Sequence, residues 1–173
     1  MREMDIAATL ENLDAVMAFV DQQLEEAGCS MKTQMQIDIA VEEVYVNIAH
    51  YAYNPEIGGV TIRVQIEEEP LEIILTFIDK GKPYDPLAKE DPDVTLAVED
   101  RQIGGLGIFM VKKSMDNVSY EYNEGRNILT LKKKVLQLKR ENYAKDFRFF
   151  ANKKENIYNQ LRNKVRKLPQ WQN

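Results

Sequence analysis

Glu43, Asn47 and His50 are the residues whose types and spacing are best suited to chemistry. They lie in VEEVYVNIAH, residues 41–50, within a stretch whose pattern predicts one helix over residues 31–51. On that helix Ile37, Val41, Val44 and Ile48 form an apolar stripe, and the three polar residues stand in a column on a neighbouring face. A carboxylate can take a proton and an amide oxygen can hold a hard cation, so the column is able to serve metal-assisted chemistry. The same residue types are also at home on a solvated helix face, and spacing alone does not separate the two readings.

Two later stretches carry chemistry of a related kind. In FIDKGKPYDP an apolar strand ends on Asp79, after which Gly81, Pro83 and Pro86 turn the chain out of the sheet. In GGLGIFMVKK, Gly104, Gly105, Leu106 and Gly107 lead straight into a helix with Ile108, Met110, Val111 and Met115 on its expected buried side. Glycines before a helix leave N–H groups bare at the positive end of the dipole, a cradle for phosphate. A tight loop needing positive φ is the competing explanation.

Composition removes several other chemistries. Cys29 is the single cysteine and His50 the single histidine, so neither an internal disulfide nor a soft-metal cluster is available. No G-x-S-x-G elbow is present. Hydrophobic residues make up 44% and charged residues 29%, as in a soluble globular domain, and no apolar run is long enough to span a membrane. The N-terminus lacks the basic-then-apolar order of a secretory signal, so a cytoplasmic location is expected.

The net charge of −5 conceals a division of the chain. Residues 1–131 hold 10 Lys/Arg against 25 Asp/Glu, whereas residues 132–173 hold 13 against 3. The expected organisation is therefore a domain over residues 1–135 and a basic amphipathic helical tail over 136–173. Such a tail would be attracted to an acidic protein surface, to the acidic domain itself or to nucleic acid. Nucleic acid is the least favoured, because the tail's aromatics follow its apolar stripe instead of alternating with its charges.

The elements that must position these residues are legible in order. An edge strand opens the chain, and Thr9 precedes a helix with Leu10, Leu13, Met17, Val20 and Leu24 at helical spacing. Gly28 stops it and Ser30 caps the helix bearing Glu43. Val60, Ile62, Val64 and Ile66 alternate in one strand, and residues 71–78 form a second strand interior to a sheet. Residues 87–103 have no sustained period and read as a lid or loop. Val118, Tyr120 and Tyr122 alternate before a turn at NEGR, and NILTLKK returns with Thr130 mid-strand.

Taken together and in this order, VEEVYVNIAHYAY, FIDKGKPYDP and GGLGIFMVKK resemble the N, G1 and G2 boxes of the GHKL superfamily, the Bergerat-fold ATP-binding domains. Within that superfamily the likeness is greatest to the bacterial anti-sigma factor serine/threonine kinases, over about residues 5–133. The resemblance implies an α+β, two-layer α/β sandwich with a mixed, mostly antiparallel sheet, helices on one face and a C-terminal helical extension outside it. It implies ATP or ADP as the nucleotide with Mg²⁺, Asn47 as the metal-holding amide and Glu43 as the general base. It further implies Asp79 as acceptor of the adenine amino group, with Gly81 and Pro83 shaping the turn beside the base. Gly104, Gly105, Leu106 and Gly107 would wrap the phosphates, Thr130 would reach the adenine-site water, and His50 would touch phosphate or serve the fold.

The activity so implied is γ-phosphoryl transfer from ATP to a serine or threonine of an antagonist protein, together with sequestration of a sigma-like factor. A homodimer is expected on the same ground. The alternative is a nucleotide-gated protein-binding module without significant phosphotransfer, in which the nucleotide only orders residues 87–103.

Overall fold

A computed structural model of the protein describes residues 1–88, 90–91 and 106–135. Gly104, Gly105, most of the expected lid and the basic tail lie outside the described residues. All the described residues belong to one unit with limits at Met1 and Gln137.

Strand β1 (Arg2–Ala7) is followed by a single 3-10 turn, Leu10–Asn12, and then by α1 (Leu13–Glu26). The helix expected from Leu10 therefore starts one turn later, and Leu10 is 45% exposed. Thr9 precedes the turn but its side chain caps nothing. The buried stripe of α1 is Val16, Met17, Val20 and Leu24.

Gly28, at φ 69°, ends α1 in a Schellman arrangement, with the N–H groups of Gly28 and Cys29 donating to the carbonyls of Glu25 and Leu24. Ser30 then opens α2 (Met31–Asn47), its Oγ accepting from Thr33 N–H at 3.2 Å. The tight join forces α2 back along α1. Their buried faces bring Val16, Val20 and Leu24 into one core with Ile37, Val41 and Val44.

Strands β2 (Gly59–Glu68), β3 (Leu71–Asp79), β4 (Asn117–Asn123) and β5 (Arg126–Lys134) complete a five-stranded sheet in the order β1-β2-β3-β5-β4. Helix α3 (Leu106–Ser114) precedes β4. Every pairing is antiparallel, so the sheet lies at the limit of the expected mostly antiparallel arrangement.

Register decides which side chains meet the core. Ile62, Phe77 and Leu129 stand in one cross-strand row, and Val64, Leu75 and Leu131 in the next, all buried. The intervening positions, Arg63, Thr76 and Thr130, point to the opposite face by the period of two and are only half-buried. Tyr45 fastens the edge of this sheet to α2: it is fully buried, and its hydroxyl donates to the carbonyls of Ala7 and Thr9 at 3.0 and 2.9 Å. Cys29 is buried as well, and burial pushes its thiol up to about 11, which leaves it unreactive.

Candidate functional site

The helix that carries Glu43 and Asn47 does not run unbroken to Tyr51. α2 ends at Asn47, and Ile48–Ala52 form a π-helical turn, a wide i→i+5 geometry common where backbones are shaped for a site. The expected column of three is thereby cut to two. Glu43 and Asn47 are half-buried one helical turn apart, while His50 lies exposed on the π turn with its ring 5.8 Å from that of Tyr51.

Glu43 reaches the N-terminal turn of α3. A β-carbon on Gly107 would overlap Glu43 Oε2 and lie 2.9 Å from Cδ, so the carboxyl group rests directly on the Gly107 backbone. Burial there, with the charge of Glu42 beside it, raises the Glu43 pKa above the ordinary carboxylate value. A carboxyl group shifted this way is a better proton acceptor when ionised, the property wanted in a general base. Leu106 is 50% exposed and Met110 39%, so Met110 is not part of the buried side expected of α3; Val111 is fully buried, Ile108 half-buried, and Met115 is buried just past the end of the helix. Lys133 fixes the other end of the helix by donating to the Ser114 carbonyl at 2.7 Å.

Asp79 closes β3 with 6% exposure. Its Oδ1 accepts from Gly81 N–H and from Asn127 Nδ2, each at 2.8 Å, and no bond to Oδ2 is present among the described residues. One carboxylate oxygen is thus committed to holding the turn, which leaves the other as an acceptor for a ligand's amino group. Gly81 is required to be glycine by the fold itself. A β-carbon would overlap the Ala52 carbonyl oxygen, and Lys82 N–H donates to that same oxygen at 2.8 Å. The Asp79 turn is consequently docked on the end of the π turn that follows Asn47. Pro83 continues it, exposed.

Thr130 does not join this group. It is the register partner of Thr76, on the face of the sheet opposite to Asp79, Phe77 and Leu129, so the strand period removes it from the pocket. Asn127 takes that place. It is the register partner of Asp79, 6% exposed, and makes a connected set of bonds. Nδ2 donates to Asp79 Oδ1 and to the Lys82 carbonyl at 3.1 Å, while Oδ1 accepts from Tyr84 N–H at 3.2 Å and from the Tyr120 hydroxyl at 2.7 Å. A signal for it existed in the alternation: Asn127, Leu129 and Leu131 share the inward face, where an amide requires partners.

The residues present suit a nucleotide with a divalent cation. Among the described residues no group of three His, Cys, Asp or Glu side chains could cage a metal. Asn47 offers a hard amide oxygen, its side chain making no capping bond to the π turn that follows, and a magnesium ion held by one or two protein oxygens takes its remaining ligands from phosphate and water. No helix among the described residues is long and apolar enough to cross a membrane.

Known proteins are similar to this chain in sequence and in fold. A family model described as the histidine kinase-like ATPase domain matches residues 6–133. Serine-protein kinase RsbW of Listeria monocytogenes is 32% identical over 111 residues, which cover 61% of this chain and 69% of that protein. Serine/threonine-protein kinase BtrW of Bordetella bronchiseptica is 28% identical over 102 residues, covering 59% of this chain and 71% of its own. The crystal structure of the RsbU and RsbW domains of a Mycobacterium tuberculosis protein has a TM-score of 0.58 at 16% identity, over 81% of this chain and 34% of that one, and so bears on the fold alone. With the family model spanning most of its length and all three sequence boxes inside the matched region, the chain belongs to the histidine kinase-like ATPase family of the GHKL superfamily.

Proposed function

We propose that the protein binds Mg·ATP and transfers the γ-phosphoryl group to a serine or threonine of an antagonist protein, and that in another state it sequesters a sigma-like factor. The observation that carries the catalytic part is the seat of Glu43, one turn before Asn47 and against the Gly107 backbone at the start of α3. In this reading the substrate hydroxyl oxygen bonds to phosphorus, the bridging oxygen leaves with ADP, and the hydroxyl proton passes to Glu43. Asp79 Oδ2 accepts from the adenine amino group, and the N-terminal turn of α3 faces the phosphates. The bound cation would neutralise phosphate charge beside Asn47. Transfer to a side-chain hydroxyl needs positioning and electrostatics more than covalent help, which one carboxylate and one amide-held cation suit.

The names of the relatives support the protein-kinase reading; the antagonist and sigma-like partners rest on the resemblance of the three sequence boxes. The family match ends at residue 133, before the basic segment 136–173.

Labelled ATP mixed with the protein and a candidate antagonist tests the reading. Label should appear on the antagonist and vanish in Glu43→Ala, which should still bind nucleotide, whereas Asp79→Asn should lose nucleotide affinity. Transfer that persists at the wild-type rate in Glu43→Ala would refute the base assignment. Nucleotide binding without any transfer would leave a nucleotide-gated binding module.

A further inference from the structure

The pocket is assembled from stretches distant in the chain, residues 43–47 and 79–84, and its two ends must keep a fixed separation if one ligand is to span them. Among the described residues the Tyr53 hydroxyl links the chain leaving the first stretch to the turn of the second. Tyr53 is the first residue after the π turn, with its ring over Gly58, where a β-carbon would overlap the ring atoms. Its hydroxyl accepts from Lys80 N–H at 2.7 Å and donates to the Gly59 carbonyl at 2.6 Å. Lys80 follows Asp79, and Gly59 precedes Val60, the register partner of Asp79. The phenol thus links the last residue pair of the β2-β3 ladder to the chain leaving Asn47.

Neighbouring contacts run the same way. Lys82 Nζ donates to the Asn54 carbonyl at 3.0 Å and Lys82 N–H to the Ala52 carbonyl at 2.8 Å. Residues 52–54 therefore form a bracket between the wide turn and the Asp79 turn. Both hydroxyl bonds are solvent-exposed, so water can replace them at small cost to stability, yet water cannot fix the distance between the parts they join.

We propose that Tyr53 is a positioning residue, whose hydroxyl holds the Asp79 turn and the Asn47 turn in one geometry so that the base and phosphate ends of a nucleotide are recognised together. This rests on the nucleotide reading given above. Tyr53 itself touches no ligand in it. A small ligand engaging only Asp79 can follow a loosened turn, whereas a ligand spanning both ends cannot.

The test is Tyr53→Phe, which keeps the ring over Gly58 and removes only the hydroxyl. Affinities for adenosine and for ATP with and without Mg²⁺ are measured by calorimetry, alongside thermal melting and residue-resolved amide exchange of the unliganded protein. Mg·ATP should weaken about tenfold and adenosine by no more than about twofold, in line with the cost of modest misplacement. Lys80 N–H should exchange faster while core amides such as those of Phe77 and Leu129 keep their protection. Equal losses for both ligands, or no loss for either, would overturn the proposal, as would an unchanged Lys80 rate. Should Tyr53→Phe fail to fold, Lys82→Met, which cuts only the exposed tether to Asn54, must show the same split at about threefold. A wild-type protein that binds no nucleotide would refute the reading beneath and the coupling with it, and the exchange data would still show whether the hydroxyl holds the turn.

Discussion

Asp79 and Asn127 stand opposite each other across β3 and β5, and the Asn127 amide donates to Asp79 Oδ1 at 2.8 Å. The bond leaves Asp79 one oxygen for a ligand and ties it, through Asn127 Oδ1, to Tyr84 and Tyr120. Asn127→Ala strands several of these groups at once. It should lower stability by about 1–3 kcal/mol, the usual penalty for buried groups left unpaired, and weaken adenine-nucleotide binding about tenfold or more. Thr130→Val, on the other face, should change stability by no more than about 0.5 kcal/mol and leave binding alone. Denaturant melts and calorimetry on the two variants make the comparison, and equal effects would remove Asn127 from the site.

Gly81 and Gly107 should respond to alanine in opposite ways. At Gly81 the new β-carbon meets backbone, the Ala52 carbonyl, which cannot yield without moving the turn. Gly81→Ala should lower the melting temperature by several degrees, about 1–3 kcal/mol of overpacking. At Gly107 it meets the far end of the Glu43 side chain, which can swing aside. Gly107→Ala should melt close to wild type yet lose most of its phosphotransfer, since the carboxyl group is displaced from its seat. Melting curves and initial rates measured on both variants check the pair.

Burial raises the Glu43 pKa, and this fixes the sign of a pH effect. Below the unfolded-state value, about 4.3, both states are protonated and Glu43 contributes no pH dependence. As pH rises toward the higher folded value the unfolded chain ionises first, so stability falls across that window and stays lowered above it. Glu43→Gln should therefore be more stable than wild type at neutral pH, by about 0.5–2 kcal/mol, with the gap closing toward pH 4. Transfer by the wild type should rise with pH through the same folded value, because only the ionised carboxylate accepts the proton. Melting temperatures followed from about pH 4 to about pH 8 would contradict the assignment if the gap widened on acidification.

Asn47→Ala should separate the metal from the base. Adenosine affinity should stay within about twofold of wild type, and the gain in ATP affinity on adding Mg²⁺ should largely disappear, about tenfold or more, since His, Cys, Asp and Glu side chains form no cage among the described residues. Calorimetric titration with and without the cation reads the difference directly.

The chain by itself determined most of the helices and strands among the described residues, because apolar spacing of 3.6 or 2 follows from covalent geometry, and Gly28 and Ser30 mark element ends by local backbone chemistry. It also determined the family and placed Glu43, Asn47 and Asp79 in order along the chain. Tertiary structure decided what alternation leaves ambiguous. Alternation puts Thr130 and Asn127 on opposite faces of one strand, but the pairing of β5 with β3 is what sets Asn127 directly opposite Asp79. Likewise the π turn after Asn47, which takes His50 off the expected column, is not signalled by the apolar spacing of the helix. It comes with contacts made far along the chain, where Gly81 and Lys82 meet Ala52 and Lys80 meets Tyr53. Those contacts join residues some 30 positions apart, a separation at which no periodicity within a single element carries information.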